Sequence, residues 1–220
     1  MQTVEPAALD EFFYFRENLY QFLQFLFFEP LKKETVMKLL KDQQGLDGLQ
    51  SLGNGGRCLY QFFTNVTDEK LKEEKDEFHR LFFGPEMILA PPWESVYRSK
   101  EKLLFDQTTE DVRRFYHEFD LEFIRENHEP DDHLVIELEF ILHLNSLCLK
   151  ETERYRVASL LDKQIEFFDL HLNKWVGPFS EKILKNTDSL LYKGAALMLK
   201  DFIKFDFESM VEIKEALLNV

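Results

Sequence analysis

The apolar residues of this chain recur at three and four, not at two, and that spacing excludes most sheet architectures before any other feature is weighed. From Ala8 to Phe28, the residues Phe12, Phe15, Leu19, Phe22, Leu23 and Leu26 fall at helical intervals, Tyr20 and Phe27 widen the stripe, and Pro30 ends it. Helical patterns follow over Lys33 to Leu40, over Leu59 to Phe63, and from a cap at Thr67 or Asp68 to Phe83, where Gly84-Pro85 stops the run. Others span Thr108 to Phe119, Asp131 to Leu149, Glu151 to Trp175, closed by Gly177-Pro178, and Leu190 to Phe207. No segment alternates as a half-buried strand would. The expected fold is all-α, a single globular, bundle-like helical domain over residues 1–220. Two stretches interrupt it. Residues 43–57, QQGLDGLQSLGNGGR, hold five of the eight glycines and predict a flexible loop. Residues 84–97, with Pro85, Pro91 and Pro92, are irregular yet apolar and are expected to lie against the body of the protein.

With 45% hydrophobic and 15% aromatic residues, 220 residues supply enough core to fold alone. The formal net charge of −14 repels phosphate backbones and anionic membranes and attracts cationic partners, so nucleic acid is not an expected ligand. Cys58 and Cys148 have no redox or metal spacing and sit in apolar surroundings typical of reduced, buried thiols, which fits a cytoplasmic compartment. The N-terminal stretch meets Glu5 first where a secretory signal carries positive charge. Arg16, Glu17, Asn18, Gln21 and Gln24 then interrupt it, so neither a signal peptide nor a membrane span is expected.

The densest cluster of polar chemistry is ENHEPDDHL, residues 126–134. Pro130 suits a first helical turn, which would put Asp131 and Asp132 at the positive end of a helix and pair His133 with Glu137 on an exposed face. Beyond Leu134 the pattern is apolar on most sides, as in a central core helix. A metal centre would need converging ligands such as Glu-x-x-His pairs, and that motif occurs nowhere in the chain. Asp131 and Asp132 are adjacent and so point in different directions, a poor arrangement for paired catalytic carboxylates. No Walker loop, nucleophile elbow or zinc signature is present.

LFFGP at 81–85, APPWESVY at 90–97 and EPDDHL at 129–134, in that order, closely resemble the TorD/DmsD family of cytoplasmic chaperones that mature molybdenum-containing redox enzymes. The resemblance is clearest from Phe78 to Leu149 and looser over HLNKW at 171–175 and LLYKGAALML at 190–199. It implies an all-α, non-enzymatic protein without a cofactor of its own, a monomer or dimer. Such a protein binds the twin-arginine signal peptide of an immature reductase and retains it until molybdopterin is loaded. By position, the peptide-binding residues would be Tyr20, Phe78, Leu81, Phe82, Pro92, Trp93, Glu129, Asp132 and His133; Phe78 stands where some relatives carry tryptophan. The residue types suit that ligand, since two guanidinium groups followed by an apolar segment call for carboxylates beside aromatic surface. The alternative is a hydrolase acting on a nucleotide or phosphoester through the acids of 126–133.

Overall fold

The computed structural model describes residues 5–84, 87–99, 107–122 and 130–219. Among them eleven α-helices follow one another: α1 (Pro6–Phe28), α2 (Lys33–Leu39), α3 (Gln43–Gly48), α4 (Gly53–Thr64), α5 (Asp68–Phe82), α6 (Ser95–Arg98), α7 (Gln107–His117), α8 (Leu134–Lys150), α9 (Arg154–Phe167), α10 (Asn173–Asn186) and α11 (Leu190–Leu218). A 3-10 turn, Leu49–Ser51, joins α3 to α4, and a π turn, Phe168–Leu172, joins α9 to α10. Among the described residues there is no strand, only an isolated bridge between Trp93 and His133, so the fold is all-α.

Backbone contacts divide the chain into two compact units, one of Met1–Gln24, Trp93–Trp175 and Ile203–Val220, the other of Phe25–Pro92 and Val176–Phe202. In the first, Tyr116, Phe140 and Phe167 form an aromatic centre, with Phe140 4.9 Å from each of the other two rings. Beside it lies a buried polar cluster. Arg16, fully enclosed, donates from Nε to Asp206 Oδ1 (2.7 Å), from Nη1 to Asn145 Oδ1 (2.9 Å) and from Nη2 to Gln164 Oε1 (2.7 Å). In the second unit Phe27, Phe78, Phe82, Phe179 and Tyr192 pack ring to ring, with Phe78 and Phe82 5.0 Å apart and Phe82 and Tyr192 5.6 Å apart.

The glycine-rich stretch 43–57 departs from the expected flexible loop: it folds as α3, the 3-10 turn and the start of α4. Helix-to-helix distance explains why glycines occupy a helix here. A Cβ on Gly55 would stand 2.4 Å from the Met198 backbone nitrogen, and one on Gly194 would stand 3.0 Å from the Gly55 carbonyl, so the two glycines let α4 and α11 touch backbone to backbone. That packing outweighs the intrinsic penalty of glycine in a helix, about 1 kcal/mol per residue. Gly55→Ala is therefore expected to lower stability by about 1–3 kcal/mol, through forced separation of the helices. Gly48→Ala, whose Cβ meets nothing within 4 Å, should be neutral or stabilising; urea unfolding of both variants checks the contrast.

Gly177-Pro178 likewise does not end a helix, because α10 runs through it to Asn186. Pro178 and Lys174 are both exposed, so the carbonyl that the proline leaves unpaired faces water, while burial of Val176, Phe179 and Ile183 holds the helix on course. The π turn just before it has a cause in the sequence. Phe167 and Phe168, then His171 and Leu172, then Trp175 are buried at four-residue steps from Gln164 onward. Four residues of α-helix overshoot a full turn by about 40°, so two such steps would carry the stripe about 80° off its face. The one extra residue of a π turn restores the alignment, with Asp169 and Leu170 turned outward. Of the two cysteines, Cys148 is buried, which pushes its thiol up to about 12, while Cys58 is only half-buried, less than its apolar neighbours imply.

Candidate functional site

The first unit brings together the two motifs that stood apart in the sequence. Trp93 and His133 form the isolated antiparallel bridge, their rings edge to face with centroids 5.6 Å apart, and both side chains are half-buried. The Trp93 indole Nε1 is enclosed without a hydrogen-bond partner. Immediately beneath, the Glu94 N–H donates to the Asp132 carbonyl (3.0 Å) and the Ser95 N–H to Asp132 Oδ2 (2.6 Å), while the Thr109 hydroxyl donates to Oδ1 (2.9 Å). Asp132 is fully buried; burial pushes its carboxyl up, and the hydrogen bonds from Ser95 and Thr109 oppose that. Asp131, also buried, accepts from Arg113 Nε (2.7 Å), and its carbonyl accepts from the Tyr116 hydroxyl (3.0 Å).

The helix expected to begin at Pro130 instead begins at Leu134, and His133 is its N-cap: Nδ1 accepts the Val135 N–H at 3.1 Å. Asp131 and Asp132 therefore stand outside the first turn, where their carboxylates anchor neighbouring segments and do not meet the helix dipole. Because Nδ1 accepts, the ring proton sits on Nε2. Burial lowers the His133 pKa from 6.5 to about 4. Between those values the unfolded chain binds the proton and the folded chain does not, so the contribution of His133 is complete above 6.5 and lost as pH falls through about 4. Stability of the wild type should fall more steeply over that interval than stability of His133→Asn, which keeps a capping acceptor; thermal melts across a pH series measure the difference.

Glu137 does not form the exposed pair with His133. It is fully buried, Oε2 accepts from the Trp175 indole N–H (3.0 Å), and burial, then the charge of Glu94, push its carboxyl well above the usual range. Glu94 itself is enclosed, with Oε1 receiving Arg98 Nη1 (2.5 Å) and Oε2 receiving the His171 Nδ1–H (2.8 Å). Glu94, Glu137, His171 and Trp175 were not among the residues expected at the site. Glu94 lies within APPWESVY and His171 and Trp175 within HLNKW, and the four-residue rhythm aims His171 inward, but none of these signals pairs the residues with one another.

The remaining expected residues are placed as follows. Tyr20 is buried in the first unit, its hydroxyl donating to Asp206 Oδ2 at 2.5 Å. Phe78, Leu81 and Phe82 lie in the core of the second unit, 1%, 0% and 3% exposed, and Pro92 is buried there also. Glu129, with Glu126 and His128, lies outside the described residues. The acids of the hydrolase alternative that are described, Asp131 and Asp132, are buried and already hydrogen-bonded, so neither is an open carboxylate placed to act as a general base. Among the described residues, no three His, Cys, Asp or Glu side chains converge as a metal-ligand set, and no helix is long and apolar enough to cross a membrane.

Residues 49–181 match the family model described as nitrate reductase delta subunit. The chaperone protein TorD of Vibrio cholerae serotype O1 is 27% identical over 206 residues, covering 90% of this chain and 93% of the relative. That of Photobacterium profundum is 24% identical over 208 residues, covering 90% and 96%. A crystal structure described as that of a redox enzyme maturation protein from Archaeoglobus fulgidus shares the fold, with a TM-score of 0.55 at 19% identity over 86% of this chain and 93% of that one. With its motifs in order, its all-α architecture and a family match over more than half its length, this chain belongs to the TorD/DmsD family of redox-enzyme maturation chaperones.

Proposed function

We propose that this protein is a cytoplasmic chaperone that binds the twin-arginine signal peptide of an immature, cofactor-free molybdenum oxidoreductase subunit. It assists cofactor insertion and holds back export until loading is complete. The proposal assigns the chain binding and no chemistry of its own. Family membership supports it, and the carrying observation is the Trp93–His133 pair. Two half-buried rings, one with an unpaired indole N–H, are mounted on a frame of buried, hydrogen-bonded carboxylates. A rigid aromatic on a fixed frame is the usual anchor of a binding hot spot. In this reading Trp93 packs against the apolar part of the leader and His133 against its polar part. Asp132 holds the frame, and Glu129 is kept as a cation partner on its sequence position. Tyr20 supports the interior of the same unit, and Phe78, Leu81, Phe82 and Pro92 are buried within the second unit.

The net charge of −14 draws a basic leader toward the protein, and the aromatic contact persists when charge is screened. Calorimetric titration with a synthetic leader should show affinity falling as salt rises, yet binding still measurable near 1 M salt, where the screening length is about 3 Å. Salt-independent affinity would remove charge from the account, and absence of binding at every salt concentration would refute the proposal.

A further inference from the structure

Residues Trp93 to Arg98 are tied down from two sides. The loop before α8 holds their backbone, through the Glu94 and Ser95 amides on Asp132. The π turn holds their side chains: His171 Nδ1–H donates to Glu94 Oε2 (2.8 Å), and Arg98 Nη1 bridges Glu94 Oε1 (2.5 Å) and the Leu170 carbonyl (2.6 Å). A π turn in place of an α turn supplies this second tie, since the extra residue brings His171 onto the buried face and points the Leu170 carbonyl at Arg98. Glu94 and His171 are 0% and 2% exposed, so neither can touch a peptide at the surface.

We infer that His171, through Glu94, is a positioning residue for the Trp93–His133 pair: its N–H fixes the Glu94 carboxylate, which sets the backbone that presents Trp93. The inference rests on the leader-binding reading for its functional consequence. Fixing an anchor before binding removes an ordering cost that the ligand would otherwise meet. His171 also packs, with its ring 5.4 Å from Phe115 and 4.9 Å from Phe167, so donor and bulk must be tested separately.

Two substitutions separate them. His171→Phe keeps a ring against Phe115 and Phe167 and removes the N–H. His171→Asn gives up the ring and returns an amide N–H near the place of Nδ1. Both variants and the wild type are titrated with a synthetic peptide of two adjacent arginines followed by an apolar segment. Hydrogen exchange at the Glu94 and Ser95 amides is read on the same free proteins. The expected result is that His171→Phe binds about tenfold more weakly and exchanges faster at both amides. His171→Asn should stay near wild type in both, although its melting temperature falls. The inference is overturned if affinity in both variants simply follows melting temperature, or if His171→Phe keeps wild-type affinity and exchange. If the wild type itself does not bind the peptide, the leader-binding reading fails, and the exchange comparison still decides whether His171 positions the segment.

Discussion

Replacing Arg16 with methionine is expected to destabilise the protein by about 3–5 kcal/mol, among the largest effects of any single substitution. The guanidinium is fully buried, and both Asp206 oxygens depend on it, Oδ1 at 2.7 Å and Oδ2 at 3.0 Å. Methionine matches much of the volume but leaves the Asp206 carboxylate enclosed, with the Tyr20 hydroxyl still donating to Oδ2, and frees the acceptors of Asn145 and Gln164. The cost thus comes chiefly from the charge left behind. A double substitution, Arg16→Met with Asp206→Leu, should recover part of the loss because no uncompensated charge remains. Urea unfolding with an unchanged m-value would confirm that folded stability is what moved. A single-variant loss below about 1 kcal/mol would contradict the role of this pair.

The second large effect falls on binding. Trp93→Ala should weaken leader affinity by about 2 kcal/mol or more, roughly thirtyfold, as expected for truncating an aromatic anchor. Trp175 is the internal control, since it is fully buried and donates to Glu137; Trp175→Ala should cost about 3–5 kcal/mol of stability, the usual loss for a core tryptophan. The two tryptophans of the chain thus separate anchor from core. Asp132→Ala belongs between them. It leaves the Ser95 amide and the Thr109 hydroxyl without their acceptor, so stability and affinity should fall together. A folded Trp93→Ala protein with wild-type affinity would end the assignment of Trp93 to the site.

Much of the fold was legible because helical period is a local property. The limits of α1, α2 and α5 fall within about two residues of the apolar stripes that predicted them. What failed depended on distant partners. Gly55 reads as a helix breaker until Gly194 is seen against it, and Arg16 reads as a charge interrupting an apolar run until Asp206, 190 positions away, closes the pair. The site divides in the same way. APPWESVY and EPDDHL advertised themselves as motifs, and the structure joins them at Trp93 and His133. Asp132, expected among the peptide contacts, is instead fully buried, because a backbone amide and a hydroxyl from two other segments compete for its oxygens. Glu94 and Glu137 look like ordinary surface acids in sequence, and only the fold shows both enclosed.

The central claim is that this chain recognises the leader of an immature redox enzyme. Its most direct test is to purify the protein from its native host and identify the polypeptide that comes with it. The account predicts one co-purifying chain, a molybdenum oxidoreductase subunit that still carries its twin-arginine leader and lacks its cofactor. That chain should be lost when Trp93→Ala replaces the wild type. Recovery of the same subunit already cleaved and cofactor-loaded, or equal recovery by the Trp93→Ala protein, would contradict it.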